Sequence, residues 1–436
     1  MSNSEPMKVA QNYIRHHDVN AEGHLAQAVV LVLIALLGVY GIGAARLDAN
    51  ALIDGLGIIV VQPDILINDY VEKAGLGAAF LNAALCALVG YVLLRRSRVL
   101  ISGPAIAAVF TIAGFSLFGK NVANIWPSIL GVYLFSALSK RPFAENVLVA
   151  LFGTALAPLS SELAFGIGLA APWNFIVALA VGSAAGFFLS PIARSALDFH
   201  RGYNLYNIGF AAGFIGTVTL SFLKAFGITL SSGGSWASVN PGFIVPFMLL
   251  YFLGMMAAGA VIDPQWYLGY KGIVASSGRL VSDFVRSYGL GATLFNMGTM
   301  GLIGMAAVFI IGGDWNGPVV GGILTLVGFA AFGKHPFNAL PPMIGVTIMA
   351  MLSNYGLRTP ASQLAVLFSA TLAPISGAYG PFAGIAVGML HLVLVQTVGV
   401  LHGGLNLYNN GFAGGMAAGL IVPILEWMRE WRRHEV

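Results

Sequence analysis

From about residue 24 to the C-terminus, the chain is a succession of apolar runs, many close to the length that carries a helix across a bilayer. About 20 apolar residues suffice for that crossing. A chain built this way is a polytopic, all-α membrane protein. The composition agrees: 58% of residues are hydrophobic and 9% are charged, against roughly a quarter charged in soluble domains. The net charge of +4 calls for no nucleic-acid partner, because basic residues gather on cytoplasmic loops. Cys86 is the single cysteine; it has no internal disulfide partner and reads as a packing residue.

The runs place spans near 24–45, 76–94, 99–118, 122–139, 143–161, 173–192 and 208–226. A second set follows near 240–262, 290–312, 317–333, 338–353, 361–376, 379–400 and 409–427. The sets are in register. An offset of 214 carries Asp69 onto Asp283, Gly75 onto Gly289, Asn82 onto Asn296, Gly103-Pro104 onto Gly317-Pro318, and GFSLFGKN at 114–121 onto GFAAFGKH at 328–335. LAPLS at 156–160 meets LAPIS at 372–376 at an offset of 216, and a histidine-led motif recurs at an offset of 202. The organisation expected is a polar cytoplasmic N-terminus (1–23), repeat 1 (24–226), a linker (227–239), repeat 2 (240–427) and a basic cytoplasmic C-terminus (428–436).

Seven spans per repeat is an odd number, so the second half enters the membrane upside down. With the N-terminus inside, 16 of the 21 basic residues fall on the cytoplasmic side and 5 outside, as the positive-inside rule requires. The expected fold is therefore about fourteen transmembrane segments in two inverted repeats of about seven, with some short segments interrupted or re-entrant. That pattern is the signature of solute carriers and some channels, whose site lies near the midplane where the repeats meet.

The histidine-led motif is the strongest local signal. HRGYNLYNIGFAAG at 200–213 and HGGLNLYNNGFAGG at 402–415 are identical at ten of fourteen offsets. As a helix, His200, Asn204 and Asn207 share one face, as do His402, Asn406 and Asn409. Gly209 and Gly213, with Gly411 and Gly415, form small-residue pairs that admit a close neighbour. Asparagine, tyrosine and histidine inside a span need partners. They either bond between helices or line a polar site, with the asparagines contacting solute, Tyr206 and Tyr408 walling it, and the histidines tuning it.

Other residues carry paired readings. Asp69 and Asp283 either cap a helix start or coordinate a cation. Lys120 and Lys334 either sit at a helix C-terminus at the interface or contact an anion on a half-helix that turns back. Pro158 and Pro374 break their helices, freeing carbonyls or merely kinking. Glu162, with Ala378 at the aligned position, is either a proton or sodium site or a loop charge. His391 and Gln396 read as interhelical bonds. No metal-ligand cysteine set, zinc-protease, serine-hydrolase or phosphate-loop motif occurs, so no enzyme or cofactor is expected.

PDILINDYVEKAGLGAAFLNA, with GFSLFGKN and HRGYNLYNIGFAAG, resembles an uncharacterised family of bacterial polytopic membrane proteins known as a domain of unknown function. The likeness runs from about residue 25 to 425. It implies a prokaryotic inner-membrane protein of paired halves and implies no substrate. The Gly-Phe and Asn-rich elements also resemble urea transporters in architecture, although the motif order differs and no NPxxG signature occurs. The expected function is a secondary transporter of a small polar or charged solute, coupled to H+ or Na+. A passive channel on the same scaffold and a non-transporting membrane enzyme or scaffold are the alternatives. The partners expected are the bilayer, the solute and, through the Gly-rich faces, further copies of the chain.

Overall fold

The computed structural model describes residues 19–230 and 234–434. Most of the expected N-terminal stretch 1–23, part of the linker and the last two residues lie outside them. The first half forms α1 (Val19–Ala44), α2 (Ala49–Val60), α3 (Tyr70–Arg96), α4 (Gly103–Phe115), α5 (Trp126–Leu138), α6 (Val147–Gly153), α7 (Ala157–Ser161), α8 (Trp173–His200) and α9 (Asn207–Ala225). The second half forms α10 (Pro241–Ile262), α11 (Trp266–Ala275), α12 (Phe284–Tyr288), α13 (Leu290–Ile311), α14 (Gly317–Phe329), α15 (Pro336–Leu352), α16 (Pro360–Phe368), α17 (Ala373–Tyr379), α18 (Pro381–His402) and α19 (Asn409–His434). The halves correspond element by element. Gly75 (φ 80°) breaks α3 where Gly289 (φ 86°) separates α12 from α13, a backbone region that glycine enters without steric cost.

The chain is a multi-pass membrane protein. Among the described residues, ten helical rods have the length and apolar character to span a bilayer. Five lie in each half, counting the broken rods 147–166 and 360–379 as one each. Fourteen crossings are therefore not matched by fourteen long helices. The segments expected near 99–118, 122–139 and 317–333 form α4, α5 and α14, of 13 residues each, about 20 Å long and short of a ~30 Å core. Each is started by a proline in its first turn, where the missing N–H costs nothing. Two further short helices, α2 and α11, occupy stretches where no element was expected. Asp48 caps α2 through hydrogen bonds from the N–H groups of Asn50 and Ala51.

The centre of the molecule is the pair α4 and α14, all of whose residues but Pro104 are buried. They run antiparallel. A Cβ on Gly103 would lie 2.2 Å from the Ala331 carbonyl oxygen, one on Gly114 2.5 Å from the Gly321 oxygen, and one on Gly317 2.4 Å from the Leu117 oxygen. Asp69 and Asp283 lock this crossing reciprocally. The Asp69 carboxylate accepts from the N–H groups of Val71 (3.0 Å) and Gly317 (3.1 Å), so one side chain serves the starts of α3 and α14. The Asp283 carboxylate accepts from Gly103 (3.0 Å) and Arg286 (3.2 Å), serving α4 and α12. Both acids thus hold the first turn of the other half's short helix, the favourable end for a negative charge.

Candidate functional site

The two copies of the histidine motif are helix breaks, not continuous helical faces. α8 ends at His200, Arg201 and Gly202 take positive φ (51° and 78°), and α9 begins at Asn207. The same break separates α18 from α19, with Gly403 and Gly404 at φ 57° and 81°. Periodicity failed here because two consecutive left-handed residues end a helix. His200 and Asn207 still meet, but across the loop: Nε2 lies 2.9 Å from Oδ1, and the mate pair His402–Asn409 is at 3.0 Å.

Every motif amide is bonded within the protein. Asn207 Nδ2 donates to the Ala193 carbonyl (2.9 Å) and Asn409 Nδ2 to the Val395 carbonyl (3.2 Å). Asn204 Nδ2 donates across the repeat interface to the Gly411 carbonyl (3.1 Å), and Asn406 Nδ2 to the Gly209 carbonyl (3.2 Å). The prolines of LAPLS and LAPIS free carbonyls that these loops use. Leu407 N–H donates to Ala155 O (3.0 Å) and Leu205 N–H to Thr371 O (2.9 Å). A break in each half is therefore satisfied by a break in the other, as buried backbone demands. The glycine pairs make this contact tight. A Cβ on Gly213 would sit 2.2 Å from the Phe412 ring, and one on Gly415 2.2 Å from Phe210.

Tyr206 and Tyr408 project from these breaks into the α4/α14 crossing and lie 5.2 Å apart, ring to ring. Tyr206 packs edge-on to Phe329 (4.5 Å) and Tyr408 to Phe115 (4.6 Å). Lys334 and Lys120, in the turns after α14 and α4, reach the same place and are fully buried. Lys334 Nζ donates to the Tyr206 hydroxyl (2.7 Å). Lys120 Nζ lies 4.9 Å from the centre of the Phe115 ring and meets no hydrogen-bonding atom among the described residues. The ion pairs found among those residues, Arg141–Glu145, Arg201–Glu426 and Arg286–Asp283, involve neither lysine. The lysines are thus not interfacial helix-end charges. Asn82 and Asn296, whose roles the sequence left open, fix the lysine turns. Asn82 Nδ2 donates to the carbonyls of Ser116 (2.7 Å) and Lys120 (2.8 Å), and Asn296 Nδ2 to those of Ala330 (2.8 Å) and Lys334 (2.7 Å).

Two cavities flank this centre, built from equivalent residues. One, of about 220 Å³, is walled by Tyr206, Asn207, Leu280, Val281, Phe329 and Phe332 among others. Its counterpart, of about 90 Å³, is walled by Leu66, Ile67, Phe118, Phe368, Leu407 and Asn409 among others. The linker helps explain the inequality. Ser235 N–H donates to the carbonyl of Ile67 (3.1 Å), and Trp236 Nε1 donates to Asp314 (2.8 Å), so the described linker residues pack against the Ile67 wall of the smaller cavity.

Glu162 is buried and opens the turn 162–166. Near it lies a polar cluster found only in the structure. Asp64 accepts from Asn68 (2.8 Å) and Asn124 (3.2 Å), and Asn124 also donates to Ser161 (2.9 Å). Gly278 and Ala378 stand at the positions aligned with Asp64 and Glu162, so this cluster belongs to one half. His391 bonds Asn410 (3.0 Å), and Gln396 contacts Ser362 (3.4 Å), the interhelical roles expected.

The chain matches the family described as protein of unknown function, DUF1576, over residues 48–225 and 263–427, and it belongs to that family. The two matched stretches follow the two structural halves. No curated protein matches the chain. No solved structure matches it.

Proposed function

We propose that this DUF1576 protein is a secondary transporter of a small polar or charged solute, with its site where the two halves meet. The observation that carries this reading is the pair of equivalent but unequal cavities, about 220 and 90 Å³, the larger walled by Tyr206 and Tyr408 and the smaller by Leu407 and Asn409 beside Tyr408. A carrier built from inverted repeats exposes its site alternately by exchanging the conformations of its halves. Unequal equivalents around a closed centre are what one such state looks like. A static pore through a pseudo-symmetric pair would carry matched vestibules, so a passive channel fits less well.

In this reading the ten long rods cross the membrane and the short helices turn back within it. Five crossings per half keep the inversion. With Lys120 and Lys334 moved into the interior, 15 of the remaining 19 basic residues lie on the cytoplasmic side, and both termini are cytoplasmic in a bacterial inner membrane. The motif asparagines and histidines shape the breaks that carry the tyrosines, and Asn207 and Asn409 face the two cavities. Asp69 and Asp283 act as caps, and Glu162 with Asp64 forms the acidic element available for H+ or Na+ coupling.

The test is solute uptake into proteoliposomes holding the purified full chain, with and without a proton or sodium gradient. Accumulation above equilibrium that collapses with the gradient supports a coupled carrier. Equilibration independent of any gradient identifies a channel, and no flux across a broad solute panel removes the transport reading.

A further inference from the structure

The central site contains two buried lysine amino groups, and no carboxylate forms an ion pair with either among the described residues. A charge in apolar surroundings is costly unless it is paired, and ionisable side chains inside membrane proteins mark ligand or ion paths. Here the arrangement is duplicated. Lys120 and Lys334 occupy equivalent positions, and an asparagine pins the turn of each. Lys334 uses one of its three donors on Tyr206. Lys120 Nζ uses none and is aimed at the face of Phe115. The N-terminal ends of α9 and α19 converge beside the same tyrosines: a Cβ on Gly411 would lie 3.3 Å from the Gly209 Cα. Helix N-termini add positive potential. Four elements that favour an anion therefore meet, and no acid pairs with either lysine among the described residues.

Resting on the transport reading above, we propose that the solute is a small monovalent anion, held in turn by Lys334 and Lys120. Each lysine reaches the wall of one cavity through its aromatic contacts. Lys334 touches Tyr206 and Phe329, which wall the larger cavity. Lys120 touches Phe115, which packs on Phe118 (5.1 Å) and Phe368 (5.8 Å), and these wall the smaller one. The surroundings set the ligand class. Aromatic and aliphatic walls offer few hydrogen bonds to replace lost water, which disfavours strongly hydrated dianions such as sulfate or hydrogen phosphate. An ammonium is a point charge without the bidentate fork that recognises phosphate. The ions that fit are of the kind of nitrate, formate and thiocyanate.

The test has a binding arm and a flux arm, both on the purified full chain. In detergent at fixed sodium, nitrate, formate and thiocyanate each replace gluconate while thermal unfolding is followed. The expected result is saturable stabilisation of the wild type, with apparent affinity at least tenfold weaker in Lys120→Met and in Lys334→Met. Lys120→Met is expected to unfold no earlier than the wild type in gluconate, because its amino group has no hydrogen bond to lose; a merely structural Lys120 would show the reverse. In proteoliposomes, nitrate or formate flux is expected to fall at least tenfold in each variant. Stabilisation by anions that is absent from the wild type, or is as strong in both variants as in the wild type, overturns the proposal. Flux of urea or glycerol without anion binding overturns the anion assignment and leaves transport standing. Anion binding without flux of any solute does the opposite. Should the variants fail to fold, the wild-type anion series decides alone.

Discussion

Lys334 rests its Nζ on the hydroxyl of Tyr206 at 2.7 Å, and neither side chain reaches solvent. The contact joins the turn after one half's short helix to the break in the other half's motif. Chemistry and architecture therefore meet at one bond. Removing the hydroxyl alone, in Tyr206→Phe, deletes a buried hydrogen bond worth about 0.5–1.5 kcal/mol. Flux is expected to drop while the packing on Phe329 is kept. The double change Tyr206→Ala with Tyr408→Ala removes two rings from the wall of the larger cavity at the centre of the molecule. Proteoliposomes carrying it are expected to leak solute down its gradient without coupling, measured as uptake insensitive to a proton or sodium ionophore.

The scaffold around the centre depends on reciprocal backbone contacts. A Cβ on Gly186 would lie 2.2 Å from the Ser128 carbonyl oxygen, and one on Gly388 2.2 Å from the Pro342 oxygen. These are equivalent crossings, α5 on α8 and α15 on α18. Backbone cannot swing aside as a side chain can, so Gly186→Ala and Gly388→Ala must each push two helices apart. Overpacking of this kind costs about 1–3 kcal/mol. Thermal unfolding in detergent is expected to begin several degrees earlier in each variant, whereas Gly57→Ala, which has open space beside it, is expected to leave it unchanged.

Asp69 and Asp283 divide capping from ion binding. As caps, Asp69→Ala and Asp283→Ala lose about 0.5–2 kcal/mol each, and Asp69→Asn recovers most of it because an amide oxygen still accepts from Gly317. Stability is expected to be independent of sodium in all of them. A sodium-dependent unfolding temperature that disappears in Asp69→Asn would assign the carboxylate to a cation instead.

The motif asparagines are expected to act through stability. Asn207→Ala severs bonds to His200 and to the Ala193 carbonyl, and Asn409→Ala severs their equivalents. Leaving such groups unpaired in the interior costs about 1–3 kcal/mol. Lower unfolding temperature with unchanged solute affinity per folded molecule is the outcome for a shaping role. Weaker affinity at unchanged stability would make these amides direct ligands.

Much of this was legible in the sequence because the chain states it twice. The offset of 214 found Asp69 with Asp283 and Lys120 with Lys334, and the glycine pairs announced the contact between α9 and α19. What stayed hidden has physical causes. His200, Asn204 and Asn207 have helical spacing, yet only φ angles at Arg201 and Gly202 reveal the break, and arginine gives no warning of positive φ. A lysine after a Gly-rich apolar run reads equally as an interfacial helix end. Burial of Lys120 depends on α14 crossing α4, which no local pattern encodes. Asp64 lacked a repeat partner, and its cluster draws on Asn68, Asn124 and Ser161, which are brought together only by the fold.

The central claim is that the halves are inverted about the tyrosine pair, and paired cysteine labelling tests it most directly. Lys140 and Asn354 are related by the offset of 214 and are both exposed, whereas the native Cys86 is buried. In a Cys86→Ala background, Lys140→Cys is expected to react with an impermeant maleimide only from the cytoplasmic side and Asn354→Cys only from the opposite side. Labelling of both from one side would contradict the inversion and the transport site built on it.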